Sequence, residues 1–273
     1  MQPPHVTPKK HFGQNFLVDS WCVEKIISAM EVGLEDCLLE IGPGLGALTL
    51  PLIDRFGENL KLAMVEVDPE LVIFLKRKIL DGKSFRILQK DFLKVTVGDL
   101  SVLFNLSKEK FRVFGNLPYN ISSQILFKLL ELRSLVVDQH LMLQKEVVDR
   151  IVAKTSTSQY GRLSVMLQAF YSVEKLLDFG PESFEPKPQV RSSLLRMVPQ
   201  YSRSQKLKDF DTFSRIVSAS FSMRRKMVRN SLSKYLVGED FERADLISSV
   251  RPQDISPEKY ITLSNIVFQK QIS

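Results

Sequence analysis

The stretch EIGPGLGALT, residues 40–49, is the part of this sequence that most directly indicates a fold. It completes an apolar, strand-like run, CLLEI at 37–41, and a helical pattern follows it. Its glycines at 42, 44 and 46 permit a tight turn and a close approach of the backbone to a ligand. This order of elements is typical of nucleotide-binding α/β proteins, although the loop also fits the G-x-G-x-x-A dinucleotide pattern.

Apolar runs alternate with helical patterns through the first two-thirds of the chain. Strands are predicted at 37–41, 61–66, 85–89, 111–115, 139–144, 170–178 and 192–198. Helices are predicted at 20–30, 46–56, 69–80, 123–133, 145–154 and 160–169. The alternation predicts the α/β class, with a mostly parallel sheet covered by helices on both faces. Ligands of such sheets bind at the carboxyl ends of the strands, near the reversal of strand order.

A proline-rich stretch, FGPESFEPKPQVRSS at 179–193, predicts a loop or an extended arm because proline cannot continue a helix. Strand signals end at about residue 199. Later helices are predicted at 207–221, 224–237 and 257–270. We therefore expect a catalytic α/β domain at 1–199 and a small helical domain at 200–273.

The net charge of +7 is concentrated in one short segment. Residues 203–234 contain nine Lys or Arg and two Asp, and nine minus two equals the charge of the whole chain. A local excess of this size predicts a polyanionic partner such as nucleic acid, although most charge runs are solvated helix faces.

The composition, 44% hydrophobic and 25% charged, is that of a globular protein with a real core. No apolar run reaches the length of a membrane span, and the amino terminus lacks the apolar stretch of a secretory signal. Cys22 and Cys37 show neither metal-ligand spacing nor a disulfide framework, which indicates buried thiols in a reducing compartment. We expect a cytoplasmic protein without a membrane segment or a metal, and nothing in the sequence requires an oligomer, so we expect a monomer.

Acidic residues follow two further predicted strands. Glu66, in VEVD at 65–68, comes 24 residues after Gly42, where such folds place an acid against ribose hydroxyls. Asp68 precedes a proline and is better explained as a helix cap. Asp91 follows the third strand and could accept from an adenine amino group, although a turn or cap aspartate is equally common.

The fourth strand ends in GNLPYNISS, residues 115–123. An exocyclic amine of a nucleobase is a poor nucleophile because its lone pair is delocalised into the ring. Two acceptors aimed at its N–H bonds would return electron density to nitrogen. The Asn116 side-chain oxygen is one, and a backbone carbonyl at Leu117 or Pro118 is the other. Tyr119 offers a face on which the base can stack.

Such an amine requires a methyl donor held in line, and S-adenosylmethionine fits because it brings an adenosine for the acidic residues and a sulfonium methyl. Catalysis would then rest on positioning and on stabilising positive charge that develops on nitrogen, without a metal. A nicotinamide cofactor would leave the NLPY sequence at 116–119 unexplained.

Eight motifs together resemble one family, the bacterial small-subunit (16S) ribosomal RNA adenine N6,N6-dimethyltransferases. They are KKHFGQNFL (9–17), EIGPGLGALT (40–49), VEVD (65–68), GNLPYNIS (115–122), MLQKEVVDRIVA (142–153), YGRLSV (160–165), FEPKPQVRSSL (184–194) and FSMRRKMVRNSL (221–232). The resemblance implies a Rossmann-like S-adenosylmethionine-dependent methyltransferase sheet with a small helical carboxyl-terminal domain. Gln124 and Met227 depart from the usual family residues.

By resemblance, the product is dimethyladenosine at two adjacent adenosines in a hairpin loop near the 3′ end of 16S rRNA, in the small subunit or its precursor. The resemblance assigns the methyl-donor contacts to Asn15, Leu17, Gly42, Glu66, Asp91 and Asn116. It assigns Phe184 to stacking on the target adenine opposite Tyr119, where the residue type alone suggests a core aromatic. The basic residues Arg224, Arg225, Lys226 and Lys145 are then expected to contact RNA phosphates, with Lys9 and Lys10 as further candidates.

Three other functions remain open from the sequence. A large-subunit rRNA adenine methyltransferase of the antibiotic-resistance type shares the fold and a related NxPYN motif. The protein could also be a ribosome-assembly factor whose binding matters more than its chemistry, and the family resemblance supports both roles together. A DNA adenine-N6 methyltransferase is disfavoured by Leu117, because such enzymes usually have a second proline there.

Overall fold

A computed structural model of the chain describes residues 8–9, 12–79, 85–104 and 109–272. The strands are β1 Phe16–Leu17, β2 Cys37–Ile41, β3 Lys61–Glu66, β4 Phe85–Gln89, β5 Phe111–Asn116, β6 Val136–Gln144, β7 Tyr171–Phe179, β8 Phe184–Glu185 and β9 Ser192–Pro199. The helices are α1 Ser20–Met30, α2 Thr49–Phe56, α3 Pro69–Lys78, α4 Val97–Leu103, α5 Ser122–Glu131, α6 Lys145–Ile151, α7 Arg162–Gln168, α8 Tyr201–Ser204, α9 Phe210–Ser222, α10 Val228–Ser231, α11 Gly238–Arg243 and α12 Pro257–Ile272. Short 3-10 helices span Gly57–Asn59, Phe92–Lys94, Arg133–Leu135, Pro181–Ser183 and Pro252–Asp254.

The main sheet has seven strands in the order β4-β3-β2-β5-β6-β9-β7. Strands β4, β3, β2, β5 and β6 run parallel to one another, and β9 runs antiparallel to β6. The predicted strands are all present in this sheet, which confirms the α/β, Rossmann-like prediction. The strand order reverses between β2 and β5, so their carboxyl ends form the crevice where ligands of such sheets bind.

The core explains why these elements form. All five residues of β2 are buried, as expected for a central parallel strand covered on both faces. Helix α1 is capped by Asp19, whose side chain accepts hydrogen bonds from the backbone of Trp21 and Cys22. Its apolar positions recur every three or four residues and are buried at Cys22, Val23, Ile26, Ile27 and Met30. Burial of this face against the sheet stabilises the helix more than its intrinsic propensity does.

The chain groups into two compact units. The first comprises the described residues up to Lys145 together with Lys175–Met197, and the second comprises Glu146–Glu174 and the described residues from Val198 onward. The second unit thus includes helix α7 as well as the carboxyl-terminal helices. The division into domains at 1–199 and 200–273 stays a prediction.

The helix predicted over 224–237 is wrong in its extent, since only Val228–Ser231 is helical there. Residues 224–226 form a turn, in which the Lys226 amide donates to the Met223 carbonyl at 2.8 Å. The backbone N–H groups of Val228 and Arg229 donate to the carbonyls of Val250 and Ser248, so tertiary hydrogen bonds replace helical ones. Helices α4, α8 and α11 and the short strands β1 and β8 were not predicted.

Within the described part of the chain, no helix combines the length and the apolar character needed to cross a membrane. No group of three or more His, Cys, Asp or Glu side chains in the same residues could hold a metal ion. Both cysteines are buried and free.

Candidate functional site

A cavity opens at the carboxyl ends of β2, β3 and β5. Its wall is formed by residues 12–17, 40–45, 47–48, 65–67, 71, 90–92, 116–118, 121 and 125. The six residues expected to contact a methyl donor all lie in this wall: Asn15, Leu17, Gly42, Glu66, Asp91 and Asn116. The structure therefore brings together residues from five separate segments of the sequence.

The glycine-rich loop crosses from β2 toward α2 with the backbone angles that its sequence predicts. Gly42, Gly44 and Gly46 have φ angles of 65°, 60° and 82°. The Gly42 amide donates to the Val65 carbonyl at 2.9 Å, which ties the loop to the end of β3. A Cβ built on Gly42 would meet no atom within 4 Å, so this part of the loop borders open space. A ligand can approach the backbone closely there.

Glu66 is the last residue of β3, and it is buried. Its Oε1 atom accepts from the amides of Val67 at 2.8 Å and Asp68 at 2.9 Å, and its Oε2 atom accepts from Gly44 at 3.2 Å. Burial raises the pKa of Glu66, while these amide hydrogen bonds oppose the rise. Two donors occupy Oε1, so Oε2 retains the acceptor capacity for a ribose hydroxyl.

Asp91 lies in the same wall and caps the 3-10 helix Phe92–Lys94. Its Oδ1 atom accepts from the Leu93 amide at 3.0 Å. One oxygen of Asp91 therefore acts as a helix cap, which is one of the two roles considered for this residue. A contact between the other oxygen and an adenine stays a prediction.

Asn116 is held in one orientation by a residue from the beginning of the chain. Its Nδ2 atom donates to the carbonyl oxygen of Asn15 at 2.7 Å. A carbonyl can only accept, so the amide nitrogen has to face Asn15 and the amide oxygen has to face away from it. That oxygen is buried and has no partner among the described residues. An unsatisfied buried acceptor is costly and marks a position where a donor is expected to bind.

The backbone after Asn116 favours one of the two carbonyls considered as the second acceptor. The Pro118 carbonyl accepts from the Ile121 amide at 3.3 Å, at the start of helix α5. The Leu117 amide donates to the Met142 carbonyl at 3.1 Å, which ties the peptide that precedes the Leu117 carbonyl to β6. The Leu117 carbonyl is therefore the better candidate.

The two aromatic residues expected to grip the base lie outside the cavity wall. The Tyr119 hydroxyl shares a hydrogen bond of 2.5 Å with the Ser192 hydroxyl, and burial raises the pKa of Tyr119. Phe184 is fully buried in the main core cluster, and its strand β8 pairs with β1 through Leu17. Phe184 thus has the position of a core aromatic in this structure, and its stacking on a base stays a prediction.

Glu40 is a wall residue whose importance the sequence pattern did not reveal. It is only 2% exposed, and its Oε2 atom accepts from the Thr49 hydroxyl at 2.5 Å. Burial raises the pKa of Glu40 to about 8, and the nearby charge of Glu66 contributes. The available signal was an acidic residue inside the otherwise apolar strand CLLEI.

The basic residues expected to contact RNA differ in their surroundings. Arg224 donates to the carbonyl of Ser158 and, at 3.1 Å, to that of Tyr160, so it has a structural role within its own unit. Arg225 and Lys226 are exposed in the same turn, as is Arg224, and contact of the three with RNA stays a prediction. Lys145 begins helix α6 and is half-buried.

Two amino-terminal lysines are further candidates for RNA contact. Lys9 forms ion pairs with Asp68 at 2.8 Å and with Glu70 at 3.2 Å, and Lys10 lies outside the described residues. Lys9 therefore contacts the first turn of helix α3, and its contact with RNA stays a prediction.

The chain is similar to known proteins along nearly its whole length. A family model described as "Ribosomal RNA adenine dimethylase" matches residues 6–269. A protein named "Ribosomal RNA small subunit methyltransferase A" from Burkholderia sp is 43% identical over 263 residues, covering 96% of this chain and 93% of the relative. A protein of the same name from Neisseria meningitidis serogroup A is 42% identical over 265 residues, covering 97% and 98%.

Two solved structures share the fold. A dimethyladenosine transferase from Plasmodium falciparum superposes with a TM-score of 0.77 at 25% identity, covering 94% of this chain and 98% of that one. The 23S rRNA methyltransferase ErmE superposes with a TM-score of 0.66 at 23% identity, covering 93% and 100%, and supports the fold alone. The full-length family match and the relatives above 40% identity lead to one conclusion: this chain belongs to the ribosomal RNA adenine dimethylase family.

Proposed function

We propose that this protein dimethylates N6 of two adjacent adenosines in a hairpin loop near the 3′ end of 16S rRNA, with S-adenosylmethionine as the methyl donor. One observation carries the proposal. The Asn116 amide is anchored through its nitrogen to the Asn15 carbonyl, while its oxygen is left as a buried acceptor without a partner among the described residues. An amine that presents N–H bonds is the group that such an acceptor would bind.

The residues of the cavity wall fit the proposed donor. Glu66 would hold a ribose hydroxyl, Asp91 the adenine, and the open space at Gly42 would admit the ligand beside the backbone. Asn15 and Leu17 would form the amino-terminal side of the same site. When bound, S-adenosylmethionine supplies an electrophilic methyl group on a positively charged sulfur.

The chain's own groups would act on the amine. The Asn116 oxygen and the Leu117 carbonyl would accept from its two N–H bonds, which favours a pyramidal nitrogen with an available lone pair. Because both acceptors are fixed before the substrate arrives, they stabilise the positive charge that develops on nitrogen without a cost of reorganisation. Pro118 restricts the backbone next to the second acceptor.

Binding of the RNA would use stacking and charge. A base in a hairpin loop has to leave its stack to enter such a pocket, and Tyr119 and Phe184 are the proposed aromatic contacts. Phe184 would have to leave its buried position for this contact. The exposed Arg224, Arg225 and Lys226 would bind phosphates, and Lys145 would add a further contact. We propose that the enzyme acts as a cytoplasmic monomer on the small subunit or its precursor.

The large-subunit alternative receives less support, because the relatives above 40% identity carry small-subunit names. A role in small-subunit assembly is compatible with the catalytic function. Asn116→Ala separates the two, since the variant should bind immature small subunits but transfer no methyl group.

The test is transfer of tritiated methyl groups from S-adenosylmethionine to small subunits that lack the modification. We expect label on two neighbouring adenosines, about two methyl groups on each, and none with Asn116→Ala. Large subunits serve as the control substrate. Label on large-subunit RNA alone would overturn the small-subunit assignment, and the absence of label on either RNA would overturn the enzymatic one.

A further inference from the structure

Asp68 receives more hydrogen bonds than a helix cap requires. Its Oδ1 atom accepts from the Glu70 amide at 3.0 Å, which caps helix α3 as the sequence predicts. Two long side chains from the beginning of the chain also reach it: the Lys9 ammonium donates to Oδ1 at 2.8 Å, and the Gln14 amide donates to Oδ2 at 3.1 Å. The Asp68 side chain is completely buried beneath them.

The two donors are also joined to each other. The backbone amide of Lys9 donates to the Gln14 side-chain oxygen at 2.8 Å. Burial alone would raise the pKa of Asp68, but hydrogen bonds from Lys9 and Gln14 outweigh it and lower the pKa. The contact therefore stabilises the ionised carboxylate, and a buried ionised group requires these partners.

Residues 12–18 include Gln14 of this contact, and we name them the amino-terminal strap. Six of its seven residues, 12–17, line the cavity. Its far end is held by the antiparallel pairing of Leu17 with Phe184 and by a hydrogen bond of 2.9 Å from the Val18 amide to the Ser183 carbonyl. Between these two ends, the Asn15 carbonyl accepts from Asn116.

We infer that Asp68 is a positioning residue, which holds the strap against the cavity and thereby fixes the orientation of the Asn116 amide. The methyl donor occupies a cavity that the strap partly encloses, so the Asp68 contact slows its departure. When the strap moves away, Asn116 loses the carbonyl that orients it. The effect on catalysis rests on the proposed function, whereas the effect on donor retention requires only donor binding.

Asp68→Asn is the sharpest test, because asparagine caps a helix as well as aspartate does but carries no charge for Lys9. The first measurement is the loss of tritiated S-adenosylmethionine from the preformed complex after unlabelled donor is added. We expect the dissociation rate to rise roughly tenfold, as for loss of one charge-assisted hydrogen bond. Hydrogen exchange of the peptide covering 12–18 should accelerate in the absence of RNA.

Glu70→Gln is the matched control. It makes the same chemical change two residues away, on a largely exposed partner of Lys9, and should leave both rates within about twofold. Lys9→Met provides a second test that leaves the cap and the cavity wall unchanged, and it should raise the dissociation rate in the same direction. Unchanged donor dissociation and strap exchange in both Asp68→Asn and Lys9→Met would overturn the inference.

The kinetic constants for methyl transfer separate a positioning role from simple loss of structure. Asp68→Asn should lower kcat as well as raise KM for the donor at a temperature where both Asp68→Asn and Glu70→Gln remain folded. If the proposed function were wrong, the unaltered protein would transfer no methyl group. The rate of donor dissociation would still depend on Asp68.

Discussion

Gly115 lies so close to Ile41 that a Cβ built on it would be 2.4 Å from the Ile41 carbonyl oxygen. Gly115 has a φ angle of 154° and precedes Asn116 at the end of β5, while Ile41 ends β2 and precedes the glycine-rich loop. The two parallel strands that precede the glycine-rich loop and the segment from Asn116 onward are therefore in close backbone contact at this point. Only glycine fits at this contact.

The first prediction follows from that contact. Gly115→Ala should lower the free energy of unfolding by roughly 2 kcal/mol or more, because a backbone carbonyl cannot yield as a flexible side chain can. Urea denaturation measures the change. Gly98→Ala is the control: the new Cβ would lie 3.6 Å from its nearest neighbour inside helix α4, so that variant should be slightly stabilised. Equal stabilities for the two variants would contradict the proposed clash.

Glu66 provides a prediction about donor binding. Glu66→Ala should weaken binding of S-adenosylmethionine by roughly 1–3 kcal/mol, as for a lost hydrogen bond to a charged group. The substitution also removes the acceptor for the Gly44 amide, so the loop that borders the donor loses one of its supports. Titration calorimetry gives the affinity. An affinity equal to that of the unaltered protein would mean that another residue holds the ribose.

Glu40 provides a prediction about pH. The native pKa of about 8 lies above the ordinary value of 4.5, so between these pH values the native state binds more protons than the unfolded state. Stability contributed by this group is therefore present below pH 4.5 and is lost as the pH rises toward 8. Glu40→Gln carries no titratable group and should gain roughly 1–3 kcal/mol relative to the unaltered protein across this window.

Denaturation of the donor-free proteins at pH 5 and pH 8.5 would measure that gain. The exposed Glu174→Gln substitution serves as the control and should show no change in its relative stability. If Glu40→Gln and the unaltered protein differed in free energy of unfolding by the same amount at both pH values, Glu40 would be ionised in the native state throughout this range.

The exposed turn gives a prediction about salt. If Arg225 and Lys226 bind phosphates, replacing both with alanine should weaken binding to RNA of any nucleotide sequence. It should also reduce the slope of log affinity against log salt by roughly 0.7–0.9 for each phosphate that is no longer neutralised. Arg77→Ala, an exposed cation on helix α3, is the control. A lower affinity with an unchanged slope would mean that the turn contributes by shape and not by charge.

The fold was predictable wherever local pattern and final environment agree. The run CLLEI at 37–41 is apolar because β2 is buried on both faces, and its predicted bounds equal the observed ones. The prediction for 224–237 failed because the amides of Val228 and Arg229 find carbonyls near 250, a choice that helical periodicity does not reveal. Strands β1 and β8 have only two residues each, too few to show a period.

The sequence by itself determined the alternation of strands and helices, the glycine-rich turn, and the polar groups that follow each strand. These features depend on residues near one another in the chain, where backbone preference and periodicity act. Only the tertiary structure decided how the site is oriented. Asn116 obtains its fixed amide from Asn15, 101 residues earlier, and Asp68 receives Lys9 from 59 residues away. Such hydrogen bonds leave no local pattern, because their partners meet only after the sheet has assembled.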